Sequence, residues 1–135
     1  MLRMADSPTT RVRRATNLDG WIFGVVERRT GPVSHDLHGW IDAIIMAGDG
    51  CDVAEGEPTL WGLQITSASN RSSRRKKIRG NHLLPFWLAD GTRGAALVTT
   101  GTRKKGGKPI PMIRWTTFTL TPGGELVEDD RWIDG

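Results

Sequence analysis

Tyrosine is absent from the 135-residue chain, and cysteine occurs once, at Cys51. A lone thiol excludes an internal disulfide, so the fold has no need of an oxidising compartment. Cys51 sits in the acidic, Gly-rich stretch Gly48-Asp-Gly-Cys-Asp-Val-Ala-Glu-Gly56 and reads as an incidental loop thiol. No apolar run approaches the ~20 residues that a membrane helix needs. Met1-Leu-Arg-Met-Ala-Asp6 lacks the apolar stretch of a secretory signal, so a cytoplasmic location is expected. Histidine is scarce as well. His35 and His38 are three apart with only distant His82 to join them, which makes a zinc or HNH-type site a poor fit.

Acids are missing from one long stretch. Between Ala68 and Trp115 there are twelve Lys or Arg residues and a single acid, Asp90, while residues 49–57 and 125–134 are acidic. The net charge is only +4, so the segregation matters more than the total. A one-signed surface of this kind suits an anionic partner, most simply a phosphate backbone. Six tryptophans (Trp21, Trp40, Trp61, Trp87, Trp115 and Trp132) supply large apolar area to a chain that is 37% hydrophobic. At this length one domain is expected.

The pattern of residues predicts an α/β domain, a mixed β-sheet flanked by helices in the order α-β-β-β-α-β-β. Residues 1–7 read as a flexible N-terminus, 8–121 as the domain, and 122–135 as an acidic C-terminal tail. Pro8 suits a first helical turn, and Val12, Ala15 and Leu18 share a face up to the Asp19-Gly20 stop. Short aromatic and β-branched runs predict strands over 21–27, 39–46, 59–66, 95–100 and 113–120. The continuous apolarity of 39–46 predicts burial on both faces. Ser67-Ala-Ser-Asn-Arg-Ser-Ser73 should cap a basic helix that resumes through 81–89 with a break at Pro85. Residues 103–108 read as a flexible basic loop.

Three stretches carry the unusual side chains. In Asp36-Leu-His-Gly-Trp-Ile-Asp42 an acid stands in an otherwise apolar strand, and a buried carboxylate requires a cation, a metal ion or several donors. In Gly62-Leu-Gln-Ile-Thr66, Gln64 and Thr66 share strand phase. If Asp42 lies opposite them on an antiparallel neighbour, three oxygen donors converge, the minimum for Mg²⁺ with water completing its shell. In the third stretch, Asn70, Arg74 and Lys77 fall on one helix face, with Arg71, Arg75, Lys76 and Arg79 splayed around it.

A strand bearing Gly-x-x-Asp, then a strand with Gln-x-Thr, then a basic helix resembles the PD-(D/E)XK nuclease superfamily. It is most similar to small VRR-NUC and Holliday-junction-resolvase-like members of phages and mobile elements. The resemblance spans roughly residues 9–100. It implies a restriction-endonuclease-like fold, with Asp42 as the family's Asp and Gln64 as its Glu/Gln. Thr66 stands where the family has lysine, and Arg74 or Lys77 would supply that cation. Helix one has no glutamate, and Glu27 is the substitute.

The resemblance implies a catalytic set of Asp42, Gln64, Lys77 and Arg74. Asp42, Gln64, the Ile65 carbonyl and Glu27 would hold one Mg²⁺ or Mn²⁺, with Asp36 able to complete the shell through water. Asn70, Arg71, Arg74, Arg75, Lys76, Lys77, Arg103, Lys104, Lys105 and Lys108 would grip nucleic acid. DNA is the expected partner with RNA as the alternative, and a homodimer is compatible. Two other readings stand beside the nuclease: an inactive nucleic-acid-binding module of the same fold, and a phage accessory protein that binds another protein.

Overall fold

The computed structural model describes residues 6–30, 33–89 and 91–134. Helix α1 spans Pro8–Leu18, and Ser7 caps it by accepting from the Thr10 amide at 3.2 Å. Ser7 and Asp6, which bonds Arg14, are therefore tied down, whereas residues 1–5 of the expected flexible end lie outside the described residues. Strand β1 (Trp21–Val25) follows, then a two-stranded ribbon of β2 (Arg28–Thr30) and β3 (Val33–His35). Strands β4 (Ala43–Ala47) and β5 (Leu60–Ser67) come next. A 3₁₀ turn (Ala68–Asn70) leads into helices α2 (Arg71–Arg79) and α3 (Leu84–Leu88), with Pro85 in the first turn of α3. Strands β6 (Arg93–Lys105), β7 (Lys108–Leu120) and β8 (Leu126–Asp134) complete the chain.

Six strands form one mixed sheet in the order β1-β4-β5-β6-β7-β8. Only β5 and β6 run parallel, which is why the long connection through α2 and α3 lies between them. The expected α/β class holds, with two corrections. Residues 126–134 are not a tail but edge strand β8, paired with β7 from Met112↔Asp134 to Leu120↔Leu126. Residues 103–108 are not a loose loop but the tip of the β6–β7 hairpin.

Strand alternation divides the core. Ala43, Ile45, Leu63, Ile65, Ala96 and Val98 face Val12 of α1. Ala95, Leu97 and Ile44 face the other way, onto Ile78, Leu84 and Leu88 of α2 and α3. Strands β4 and β6 are thus apolar on both faces, as their continuous runs require, whereas β5 turns Gly62, Gln64 and Thr66 to the α2 side. Gln64 shares a face with Leu97, its register partner, so it points to the α2 side among apolar neighbours. Among the described residues no helix is long and apolar enough to cross a membrane.

Candidate metal centre

Strand β4 starts later than the apolar run, at Ala43, and the preceding residues do something else. Leu37 and Ile41 form an isolated antiparallel bridge, their amides and carbonyls bonded both ways at 2.9 Å. The reversal between them needs left-handed backbone at His38 (φ 54°) and Gly39 (φ 81°). Continuing the bridge outward by one residue sets Asp36 opposite Asp42. The turn is anchored by Asn81, whose Nδ2 donates to the His38 carbonyl at 2.9 Å. It is also anchored by the fully buried Trp40 and Ile41, which rest against Gly62. A Cβ on Gly62 would approach Trp40 Cη2 to 2.9 Å and Ile41 Cδ1 to 3.0 Å, so only glycine admits this packing without displacement.

The Ala43↔Leu63 register, extended by one residue, places Asp42 opposite Gln64. Gln64 Nε2 donates to Asp42 Oδ2 at 2.5 Å, and the Ile65 amide donates to the same oxygen at 2.9 Å. The Asp42 carbonyl accepts from the amides of Val26 and Glu27 at 3.0 and 3.1 Å, which draws Glu27 in just past the end of β1. Carboxylate oxygens of Glu27, Asp36 and Asp42 all lie within 4.8 Å of one another. Opposite ligands of an octahedral shell are about 4.2 Å apart for Mg²⁺ and up to about 5.2 Å for Ca²⁺, so the three acids span the right distance. The group can hold a metal ion.

Gln64 is 2% exposed, and its Oε1 is buried without a hydrogen-bond partner. An orphaned acceptor costs roughly 1–3 kcal/mol, and a cation beside three carboxylates is a group that would satisfy it after rotation of the amide.

Electrostatics drive the two aspartates apart. Burial pushes Asp42 up to about 7, aided by its hydrogen bond to Asp36 and by the negative charges of Asp36 and Glu27, against the opposing Ile65 amide. Burial also acts on Asp36, but hydrogen bonds from Asp42 and Lys77, with the Lys77 and Arg74 charges, outweigh it and hold Asp36 low. The pair therefore shares a proton near neutral pH. Lys77 Nζ reaches Asp36 Oδ2 at 2.6 Å from α2.

The structure thus gathers Glu27, Asp36, Asp42, Gln64 and Lys77, with Arg74 close enough to act on Asp36. Ile65 meets the site through its N–H rather than through the carbonyl expected of a ligand. Thr66, one pleat beyond Gln64, is buried beside its register partner Thr99. Asn70 and Lys76 are exposed on the rim of α2.

Three of the expected nucleic-acid contacts are occupied within the chain, the first being Lys77 on Asp36. Arg75 makes a two-pronged bond to Glu128, at 2.6 and 2.5 Å, and Arg79 bonds the same carboxylate. Arg71 donates to Thr116 Oγ1 at 3.0 Å and lies 3.6 Å from Asp130, which also binds Arg114. Edge strand β8 carries these acids back over α2, so charges segregated in sequence are partly neutralised in space. Asp90, the single acid of the basic stretch, lies outside the described residues.

A cleft of about 870 Å³ lies elsewhere, lined by Trp21, Trp61, Trp115 and Arg131 among others, and includes none of the gathered acids. The acidic group lies instead where β1 ends and β4 begins, its three carboxylates partly buried. In comparisons with known proteins, no family model, no curated protein and no solved structure matches the chain.

Proposed function

We propose that this protein is a divalent-metal-dependent phosphodiester hydrolase acting on nucleic acid, with a PD-(D/E)XK-like centre. One observation carries the reading. Glu27 past β1 and two acids from the 36–42 turn meet beside a buried glutamine with an unpartnered oxygen, and a lysine from the basic helix stands against one of them. With the β2–β3 ribbon and α3 set aside, the order α1, β1, β4, β5, α2, β6 supports the same assignment, because the resemblance implies a strand with Asp, a strand with Gln and then a basic helix.

Glu27, Asp36, Asp42 and Gln64 are the residues that would hold Mg²⁺ or Mn²⁺. Bound there, the ion lowers the pKa of a coordinated water and polarises a phosphoryl oxygen. The chain's own contribution is orientation and charge. Gln64 and the Ile65 amide fix the Asp42 carboxylate, and Lys77 fixes that of Asp36. Lys77 and Arg74 also place positive charge where a phosphate would meet the acids, the role that Thr66 cannot fill. The buried Thr66 at the usual lysine position favours a second reading, a binding module of the same fold without hydrolysis.

The test is Mg²⁺- or Mn²⁺-dependent cleavage of plasmid, single-stranded and branched DNA. Asp42→Asn should lower the rate by about 10²-fold or more, the scale seen when one stabilising group is removed from a preorganised site. An Asp42→Asn protein that cuts as well as the parent ends the assignment. Metal binding without cleavage leaves the binding module.

A further inference from the structure

We propose that the far end of the β6–β7 hairpin is an arm that seats in a groove of duplex nucleic acid. The inference rests on the reading of the acidic group as a nucleic-acid site for its orientation, not for binding itself.

Among the described residues the sheet stops before this hairpin does. Strand β5 ends at the Ser67↔Thr100 pair and β8 at Asp134↔Met112, but β6 and β7 stay paired to Lys105↔Lys108. Residues 102–111 therefore leave the sheet as a two-stranded ribbon. Its two-residue turn, Gly106 (φ 61°) and Gly107 (φ 80°), has left-handed backbone at both positions, the geometry that matches strand twist and closes a tight hairpin. The base is braced from the other layer. Arg11 of α1 donates from Nη2 to the Gly101 carbonyl at 3.2 Å and to the Met112 carbonyl at 3.4 Å.

The ribbon is dressed for phosphate. Arg103, Lys104, Lys105 and Lys108 are exposed, and residues 91–124 contain no acid. By strand phase and register, Arg103, Lys105 and Lys108 share one face. That face is continuous with Leu97 and hence with Gln64, so three of the four cations stand on the side of the sheet that bears the acidic group. A partner strand is a poor occupant. Pro109 and Pro111 remove alternate donors from the outer edge of β7, which leaves little to support strand addition. A two-stranded ribbon does fit the major groove of duplex DNA, about 12 Å wide. From Leu97, opposite Gln64, to Arg103 is six residues of β6, or about 20 Å at ~3.4 Å per residue. The arm would thus hold phosphates about six base pairs from the acids, at ~3.4 Å per step.

The experiment uses the full chain in EDTA, so that neither metal nor cleavage enters. Binding to a labelled 20-base-pair duplex and to the single strand of the same length is followed by anisotropy between 50 and 200 mM salt. Replacing Arg103, Lys104, Lys105 and Lys108 together by Ala should lower the log–log salt slope for duplex by about 3 to 4, at ~0.9 per phosphate contact. Affinity for duplex should fall tenfold or more, and that for single strand threefold or less. An unchanged duplex slope overturns the proposal, as does an equal loss on both substrates. So does a loss confined to phosphatidylserine vesicles, which would make the arm a membrane contact. The ribbon lies outside the core, and an unchanged melting temperature of the variant excludes misfolding. If the parent binds duplex through the arm but never cleaves, the hydrolase reading fails and the arm stands.

Discussion

Asp42 should make the metal-free protein less stable as pH rises through neutrality, and the size of the effect follows from its surroundings. Its carboxyl is pushed up to about 7, chiefly by burial, so the folded chain binds a proton there more tightly than the unfolded chain does. A raised acid weakens the fold as pH rises above its unfolded value of about 4, until the loss is complete above about 7. Asp36, Glu128 and Asp130 are all held low, so their stabilisation is already complete above about pH 4 and does not change in this window. Between pH 5 and pH 8 only about two units of the Asp42 shift remain to be lost, on the order of 2–3 kcal/mol at ~1.4 per unit. At about 3–4 °C per kcal/mol for a chain of this size, the melting temperature should fall by roughly 6–12 °C over that range. Thermal unfolding in EDTA at several pH values measures it. Asp42→Asn, which keeps an acceptor for the Ile65 amide but cannot titrate, should flatten the slope. Parent and variant falling in parallel would refute the assignment of the proton to this site. Mn²⁺ should restore the parent at pH 8 by RT ln(1 + [Mn²⁺]/Kd), and should do so less at pH 5, where the proton competes.

The other expectations concern packing and charge. Gly62→Ala should cost about 1–3 kcal/mol by forcing Trp40 and Ile41 apart, and should weaken Mn²⁺ binding because those residues carry the Asp36–Asp42 turn; calorimetry of both properties checks it. Lys77→Met should raise the Asp36 pKa by removing its hydrogen bond and charge, readable by carboxyl NMR titration, and should lower cleavage without unfolding the chain. Glu128→Gln releases Arg75 and Arg79. Because the pairs are partly exposed, it should cost no more than about 1 kcal/mol in urea unfolding, while duplex binding grows tighter and more salt-dependent.

Much of the fold was legible along the chain because its signals are local. The Pro8 start and Asp19-Gly20 stop of α1, the apolar runs of β4 and β5, and the Gly/Pro punctuation all act within a few residues. Asp42 and Gln64 stood out for the same reason, each a polar side chain in a run that buries its neighbours. What was misjudged was non-local. The acidic 126–134 stretch reads as a solvated tail until β7 offers it a partner. The Lys/Gly run at 103–108 reads as flexible until thirteen-residue strands pair up to its two glycines.

By itself the sequence determined which residues must be hidden and which strand phases carry them, since burial and backbone alternation depend only on local pattern. Whether Asp36 folds back onto Asp42, whether Lys77 or Arg75 keeps its charge for a ligand, and how far the β6–β7 arm stands clear were decided by tertiary structure. Those outcomes depend on pairings tens of residues apart, where register and chain reversal, not residue type, choose the neighbour.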